Sequence, residues 1–196
     1  MKKVAKQSII AVLMAGILMS CAVDEEEDRE KSIDGYKIVV IGTQTWMAEN
    51  LNYASKNSVC YNNNKASCSV YGRLYSFEEA VKVCPPGWHL PKNMEWQTLI
   101  DYAGGFEVAG KALKATSKWD SNGNGTDDYN FSALPGGLQY AAGNFGYLGS
   151  DGIWWATNGN KENFEDHFKL ESSETTAIIE KCGTPQNMHS VRCIKN

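Results

Sequence analysis

With 196 residues, 42% of them hydrophobic, and a formal net charge of −4 at pH 7, the chain suits one domain with a real hydrophobic core. Nucleic-acid binding relies on a basic surface that neutralises phosphates, and nothing in this composition makes one. Nucleic acid is therefore excluded as a partner.

The first 20 residues have the pattern of a signal peptide. Lys2, Lys3 and Lys6 precede an apolar run, Ile9–Met19. At about 1.5 Å of rise per residue, this run is far shorter than the ~30 Å hydrocarbon core, so a membrane-spanning helix is not expected. The run ends in LMSC, which resembles the lipobox of bacterial lipoproteins. That resemblance implies cleavage before Cys21, acylation of Cys21 and stable anchoring in a membrane.

Residues 21–33 are predicted to be the lipidated cysteine and an acidic tether. The run Asp24–Glu30 (DEEEDRE) is typical of a solvated segment. It also resembles the surface-export signal of Bacteroidetes-type lipoproteins. We therefore expect an outer-membrane lipoprotein with its domain at the cell surface, with the periplasmic face as the alternative. Loss of the signal peptide and its three lysines leaves a net charge of about −7.

The domain that follows begins with a predicted strand. Tyr36–Ile41 has strand composition, and Gly42–Thr45 is a turn that makes an opening hairpin. The polar, Asn-rich stretch Ala48–Tyr75 is predicted to be mostly loop.

Two helices around a proline break come next. Ser76 and Glu79 form a capping box, and the helix they begin should stop before Pro85. Asn93 is predicted to cap the second helix, whose apolar face would carry Trp96, Leu99 and Ile100. A shorter helix is expected within Phe106–Ser117.

Beyond Trp119 the chain is rich in glycine, asparagine and aromatic residues. Helices in the first half and short strands with long loops in the second predict an α+β fold. The predicted strands are 138–140, 152–157, 166–170, 175–179 and 190–194.

Five cysteines follow Cys21, and disulfides persist in proteins that have left the cytoplasm. Cys60 and Cys68 bracket a short polar loop and form a natural local pair. Cys193 has two candidate partners, Cys84 and Cys182, and the residues alone leave that choice open.

Six ordered motifs resemble the Fibrobacter succinogenes major paralogous domain, over residues 34–196. They are GTQTWMAENLNY (42–53), YGRLY (71–75), CPPGWHLP (84–91), FSALPGG (131–137), WW (154–155) and SVRC (190–193). The resemblance implies a C-type-lectin-like fold, related to sulfatase-modifying factors, with two main helices, short antiparallel strands and long loops. It also implies a disulfide between Cys84 and Cys193.

One loop has the spacing of a calcium site. Asp120, Asn122, Asn124 and Asp128 repeat the first ligands of an EF-hand loop, but position twelve is Phe131 instead of a glutamate. The favoured alternative is a loop held by its own side-chain hydrogen bonds. Calcium is therefore a candidate ligand, and no other cofactor is expected.

Exposed aromatic rings are the second candidate site. On a strand, Trp154 and Trp155 point to opposite faces, so one is expected in the core and the other at the surface. With Tyr140, Phe145 and Tyr147 nearby, the exposed rings could stack on a sugar. The alternative is that all of these rings fill the core.

Enzymatic motifs are not found. His89, His167 and His189 are isolated, without metal-ligand spacing, and no G-x-S-x-G or Walker-type loop occurs. The expected function is therefore a lipid-anchored, non-catalytic module that binds a glycan or a surface protein. The alternatives are a formylglycine-generating type of enzyme, with Cys182 as a reactive thiol, and a purely structural envelope component.

Overall fold

A computed structural model describes residues 32–33, 35–159 and 165–196. The predicted signal peptide, Cys21 and the acidic run lie outside these residues. The described chain has an α+β fold, as predicted. None of its helices has the length and apolar character needed to cross a membrane.

The described part of the chain contains four α-helices and thirteen short strands, joined by loops. The helices are α1 (Lys65–Tyr71), α2 (Phe77–Val83), α3 (Asn93–Tyr102) and α4 (Phe106–Leu113), with a 3-10 turn at Tyr61–Asn63. The first strands are β1 (Ser32–Ile33), β2 (Tyr36–Ile41), β3 (Gln44–Met47), β4 (Ser58–Val59), β5 (Leu74–Tyr75) and β6 (Trp88–His89). The others are β7 (Leu138–Gln139), β8 (Phe145–Gly146), β9 (Asp151–Thr157), β10 (Glu165–Glu171), β11 (Ile178–Lys181), β12 (His189–Ser190) and β13 (Ile194–Lys195).

The strands form three sheets. One has the order β1-β2-β3-β13-β6, so the last strand inserts beside the opening hairpin. The second has the order β11-β10-β9-β12-β5-β4, and the third is the β7-β8 pair. Strand β12 runs parallel to β9 and antiparallel to β5. The beginning and the end of the domain are thereby brought together.

Helices α2 and α3 are present as predicted, but their caps differ from the prediction. The backbone N–H of Ser76, which the predicted capping box would pair with Glu79, donates instead to the Asn57 carbonyl oxygen at 3.2 Å. Ser76 caps α2 by accepting a hydrogen bond from the backbone N–H of Glu79 at 3.4 Å. The prediction that Asn93 caps α3 is wrong, because α3 begins at Asn93 and its cap residue is Lys92. The Glu95 carboxylate accepts the Lys92 backbone N–H at 2.7 Å. The Asn93 side chain donates instead to Asp166.

Helix α1 lies in the stretch that was predicted to be loop. Asn64 caps it by accepting the backbone N–H of Ala66 at 3.0 Å, and the disulfide between Cys60 and Cys68 ties it to the preceding turn. A capped helix of seven residues stabilised by a cross-link shows little helical periodicity in its sequence. That is why the pattern missed it.

The core consists of two clusters of buried side chains on opposite faces of β9. Trp154 packs into the first cluster with Trp96 and Phe168, whose rings stack at 4.2 Å. Trp155 packs into the second cluster, where Phe77 meets it at 5.3 Å. The two indoles do point to opposite faces, but both are 0% exposed. The expectation that one of them is available at the surface is therefore wrong.

Both disulfides suggested by the sequence are present. Cys60 pairs with Cys68, and Cys84 at the end of α2 pairs with Cys193 beside β13. The second bond confirms what the family resemblance implied and decides against a Cys182–Cys193 pair. Cys182 remains a thiol outside both disulfides.

Candidate functional site: a polar cleft beside strand β10

A cleft of about 440 Å³ opens beside β10. Its floor and walls come from β9, β10 and β12, the end of β11 and the loop before β9. Most of the side chains that line it are polar or charged. They include Tyr147, Asp151, His167, Lys169, Glu171 and Glu180, with Cys182, Asn187 and His189 at the far end.

Strand alternation explains how β10 supplies this lining. Successive side chains on a strand point to opposite faces. Phe168 and Leu170 are buried in the first core cluster, so His167, Lys169 and Glu171 face the cleft. The cleft is therefore built on a strand that is paired on both sides, with β11 and with β9.

The charged groups of the cleft are arranged around one ammonium. Lys169 Nζ lies 3.5 Å from Asp151 Oδ2 and also contacts the Glu171 carboxylate. Burial alone would lower the pKa of Lys169, but the hydrogen bond with Glu171 and the charge of Asp151 outweigh it and hold that pKa above its usual value. With Glu180 on the adjacent strand, the cleft carries more acidic than basic groups.

Tyr147 stands at the edge of the cleft in an unusual backbone conformation. Its φ is 64°, in the left-handed region that costs a residue with a side chain about 1–2 kcal/mol. Its carbonyl accepts three hydrogen bonds, from the backbone N–H groups of Ser150 and Asp151 and from the Ser150 hydroxyl. These bonds hold the turn, so the phenol ring is presented at 50% exposure.

The predicted aromatic site is only partly assembled. Tyr140 and Tyr147 lie together, with ring centroids 6.2 Å apart. Phe145 packs on Tyr61 at 5.1 Å and does not line the cleft. Trp154 and Trp155 are buried and unavailable to a ligand, since each packs against neighbouring strands and helices. Tyr147 is thus the one predicted aromatic residue on the cleft wall.

The predicted calcium loop is held by hydrogen bonds. Asn124 Oδ1 accepts the backbone N–H of Trp119 at 3.1 Å, and the Asn124 carbonyl accepts from Lys111 Nζ at 2.7 Å. The backbone N–H of Asp128 donates to Ala112 at 2.9 Å, and that of Asp120 donates to Gly149 at 2.9 Å. These contacts fit the alternative of a self-supported loop. Calcium at Asp120, Asn122, Asn124 and Asp128 stays a prediction.

Two histidines and a thiol meet at the far end of the cleft. One donor atom each from His167, Cys182 and His189 lies within 4.8 Å of the others. Cys182 Sγ is 3.8 Å from His189 Nε2 and 3.3 Å from the Thr184 carbonyl oxygen. The Glu180 carboxylate lies 3.1 Å from His167 Nε2.

Burial keeps both imidazoles neutral. Burial, together with a smaller effect of the neighbouring His167, lowers the pKa of His189 to about 3. Burial also lowers the pKa of His167, although the Glu180 carboxylate opposes that shift. A neutral imidazole has a nitrogen lone pair, so each ring can accept a hydrogen bond or bind a metal at pH 7.

Sequence spacing could not reveal this group, because the three residues lie on separate segments. His167 faces Glu180 across the β10–β11 pair and Trp155 across the β10–β9 pair. His189 is on β12, on the other side of β9. The one available signal was alternation along β10, which places His167 on the same face as Lys169.

A family model described as the Fibrobacter succinogenes major domain matches residues 39–195. The chain belongs to this family. Comparisons with curated proteins and with solved structures found no match.

The family motifs build the framework of this fold. Arg192 donates hydrogen bonds to Asn50 and to the carbonyl oxygens of Phe131 and Ser132, and so joins three of the six motifs. Asn50 also donates to the Tyr71 carbonyl, which brings in a fourth. The charged residues of the cleft, Asp151, Lys169, Glu171 and Glu180, lie outside these motifs.

Proposed function

We propose that this member of the family is a lipid-anchored, non-catalytic envelope module that binds a neutral glycan in the cleft beside β10. The observation that carries the proposal is the exposed Tyr147 ring beside a row of fixed hydrogen-bonding side chains. An aromatic face offers a stacking surface to the apolar face of a sugar ring, and the adjacent carboxylates and amide accept and donate hydrogen bonds with its hydroxyls.

Pre-organisation supports this assignment of the cleft. Three hydrogen bonds to its carbonyl hold the backbone of Tyr147 and so fix where its side chain starts, and the Lys169 side chain is fixed between Asp151 and Glu171. Side chains that are already fixed lose little conformational entropy when a ligand binds. Backbone conformations that cost energy are concentrated at functional sites, and the left-handed Tyr147 is one of them.

The excess of acidic side chains in the cleft indicates what net charge the glycan has. Asp151, Glu171 and Glu180 outnumber the single ammonium of Lys169, and burial keeps His167 neutral. A ligand bearing carboxylates or sulfates would therefore be repelled, since like charges at short range disfavour binding. We infer a neutral saccharide.

The fold and the anchor belong to the same proposal. A C-type-lectin-like architecture is supported by two features. The Cys84–Cys193 disulfide links the end of α2 to the last strand, and the two ends of the domain lie side by side in one sheet. The lipobox cysteine Cys21 and the acidic tether support display on the outer membrane. Metabolic labelling with a fatty acid, lost in Cys21→Ser, tests the anchor separately from binding.

A formylglycine-generating enzyme fits less well. The formylglycine-generating proteins that this fold resembles use two neighbouring cysteine thiols near the C-terminus. The Cys193 sulfur is bonded to Cys84 and therefore cannot serve as one of two such thiols.

The binding proposal is tested with purified protein on an array of neutral and anionic glycans. We expect retention of neutral glycans and at least a tenfold loss of affinity in Tyr147→Ala. Tyr53→Ala is the matched control, because Tyr53 is 61% exposed and outside the cleft. No retained glycan, or equal losses in the two variants, would overturn the proposal.

A further inference from the structure

The cluster of His167, Cys182 and His189 has the composition of a transition-metal site. Each residue contributes one donor atom within 4.8 Å of the other two. A thiolate with two imidazoles suits zinc and neighbouring transition metals and is a poor set for calcium or magnesium, which prefer oxygen. We propose that these three side chains bind a zinc-class divalent cation at the end of the cleft.

The distances between the three donor atoms are close to those around a bound zinc ion. Zinc–sulfur and zinc–nitrogen bonds of about 2.3 and 2.0 Å place tetrahedral donors roughly 3.5 Å apart. Cys182 Sγ and His189 Nε2 are already 3.8 Å apart. His167 needs to approach the other two donors by about 1 Å, a shift within the range of side-chain rotation.

The buried histidine nitrogens are a second, independent observation. His189 is 2% exposed, and its Nδ1 has no hydrogen-bond partner among the described residues. The buried Nδ1 of His167 is likewise without a partner in that part of the chain. Buried polar atoms are nearly always satisfied, so the unsatisfied Nδ1 of His167, whose Nε2 already contacts Glu180, indicates a missing bonding partner that a metal would supply. At His189 the metal would bind Nε2, the nitrogen beside the Cys182 sulfur, and Nδ1 would carry the ring proton.

Glu180 accepts a hydrogen bond from His167, as carboxylates commonly do from histidines that bind metals. Its carboxylate lies 3.1 Å from His167 Nε2, and this contact favours the tautomer with the proton on Nε2. Nδ1 then carries a lone pair. A divalent cation, the Cys182 thiolate and the Glu180 carboxylate sum to zero charge, so the filled site would place no net charge in a partly buried position.

The supporting elements are rigid and leave one side open. His189 packs edge-on against Trp155 at 4.3 Å and lies on β12 between two other strands. His167 lies on β10, which is paired with β11 and β9, and Cys182 follows the end of β11. All three residues line the 440 Å³ cleft, so water or a ligand group can take a fourth position.

Cobalt(II) tests the site because it takes zinc ligand sets and reports on sulfur. The protein is prepared in a Cys21→Ser background, so that Cys182 is the one cysteine outside the two disulfides, and is treated with a chelator. We expect one equivalent of cobalt to produce a thiolate-to-cobalt charge-transfer absorption, displaced by zinc. Binding should also raise the Tm, because the ion binds the folded state.

Three variants separate the site from adventitious binding. Cys182→Ser should abolish the absorption, and Glu180→Gln should weaken zinc binding by 10- to 100-fold while the fold is retained. His89→Gln is the control, since His89 also pairs with a carboxylate, that of Glu95, but lacks a nearby thiol. No absorption, absorption that persists in Cys182→Ser, or equal losses in Glu180→Gln and His89→Gln would overturn the proposal.

Discussion

Arg192 Nη2 donates a hydrogen bond to Asn50 Oδ1 at 2.7 Å in the interior, between residues 142 positions apart in the chain. The same Asn50 oxygen accepts from Trp154 Nε1 at 2.8 Å. The guanidinium also lies over the Phe131 ring at 4.3 Å. Burial lowers the pKa of Arg192 to about 9, which still leaves it charged at pH 7. A buried cation thus joins the beginning, middle and end of the domain.

Arg192→Met should lower the free energy of unfolding by about 3 kcal/mol. The substitution preserves much of the volume but leaves the Phe131 and Ser132 carbonyls without the Arg192 donor, at ~1–3 kcal/mol for each unsatisfied group, while the Asn50 oxygen keeps its bond from Trp154. Urea denaturation measures the change. Lys82→Met, which replaces a side chain that is 63% exposed, should stay within about 0.5 kcal/mol of the native protein.

A double-mutant cycle with Asn50→Ala tests whether Arg192 acts through Asn50. Residues in one hydrogen-bond network have coupling energies of about 0.5–3 kcal/mol. We expect a value within that range. Additive effects of the two substitutions would contradict the described link.

The two disulfides should differ in their effect on stability. They close loops of very different length, with sequence separations of 109 for Cys84–Cys193 and 8 for Cys60–Cys68. In the chain-entropy model these loops correspond to ~5 and ~2.5 kcal/mol. Replacing each pair by alanines and measuring urea unfolding should give the larger loss for Cys84–Cys193. Equal losses would show that the unfolded chain is not the main source of the stabilisation.

Local signals in the sequence predicted local structure well. The Ser76 cap and the proline stop fixed α2 because capping and proline act within one turn. The Lys92 cap of α3 was missed, since Asn93 is the better intrinsic cap and its side chain is instead recruited by Asp166 from β10. A contact across 73 residues overrode the local preference.

The candidate site was much less predictable. Alternation correctly sent Trp154 and Trp155 to opposite faces, but only the tertiary fold shows that Phe77 and Tyr75 cover the second face as well. His167, Cys182 and His189 come together through sheet pairing of segments with no shared motif. The packing of the whole core determines which residues of sequence-distant strands lie side by side. The local pattern of residues along one strand does not specify that register.

Lys114 should make stability depend on pH in the alkaline range. Its Nζ donates to the Glu171 and Glu174 carbonyls, each at 2.8 Å, and burial, followed by the nearby Lys111 charge, lowers the Lys114 pKa to about 8. Between about pH 8 and 9.5 the unfolded chain retains a proton that the folded chain has released. Stability should therefore rise with pH across that window.

The Lys114→Met variant isolates this effect. The difference in the free energy of unfolding between the native protein and the variant should shift in favour of the native protein as pH rises from about 8 to 9.5. Urea titrations at several pH values measure it. A pH-independent difference would mean that Lys114 stays protonated in the folded state.

Tyr147→Gly should separate stability from binding. Glycine adopts a positive φ at no steric cost, and the 50% exposed phenol loses little packing, so the free energy of unfolding should be unchanged or higher by up to about 1 kcal/mol. Tyr53→Gly is the matched control. Tyr53 is similarly exposed but is not among the residues with positive φ, so glycine there should cost about 0.5–1 kcal/mol. Urea denaturation gives both values, and glycan affinity should fall only in Tyr147→Gly. A loss of stability in Tyr147→Gly larger than in Tyr53→Gly would show that the ring holds the turn and is not simply presented by it.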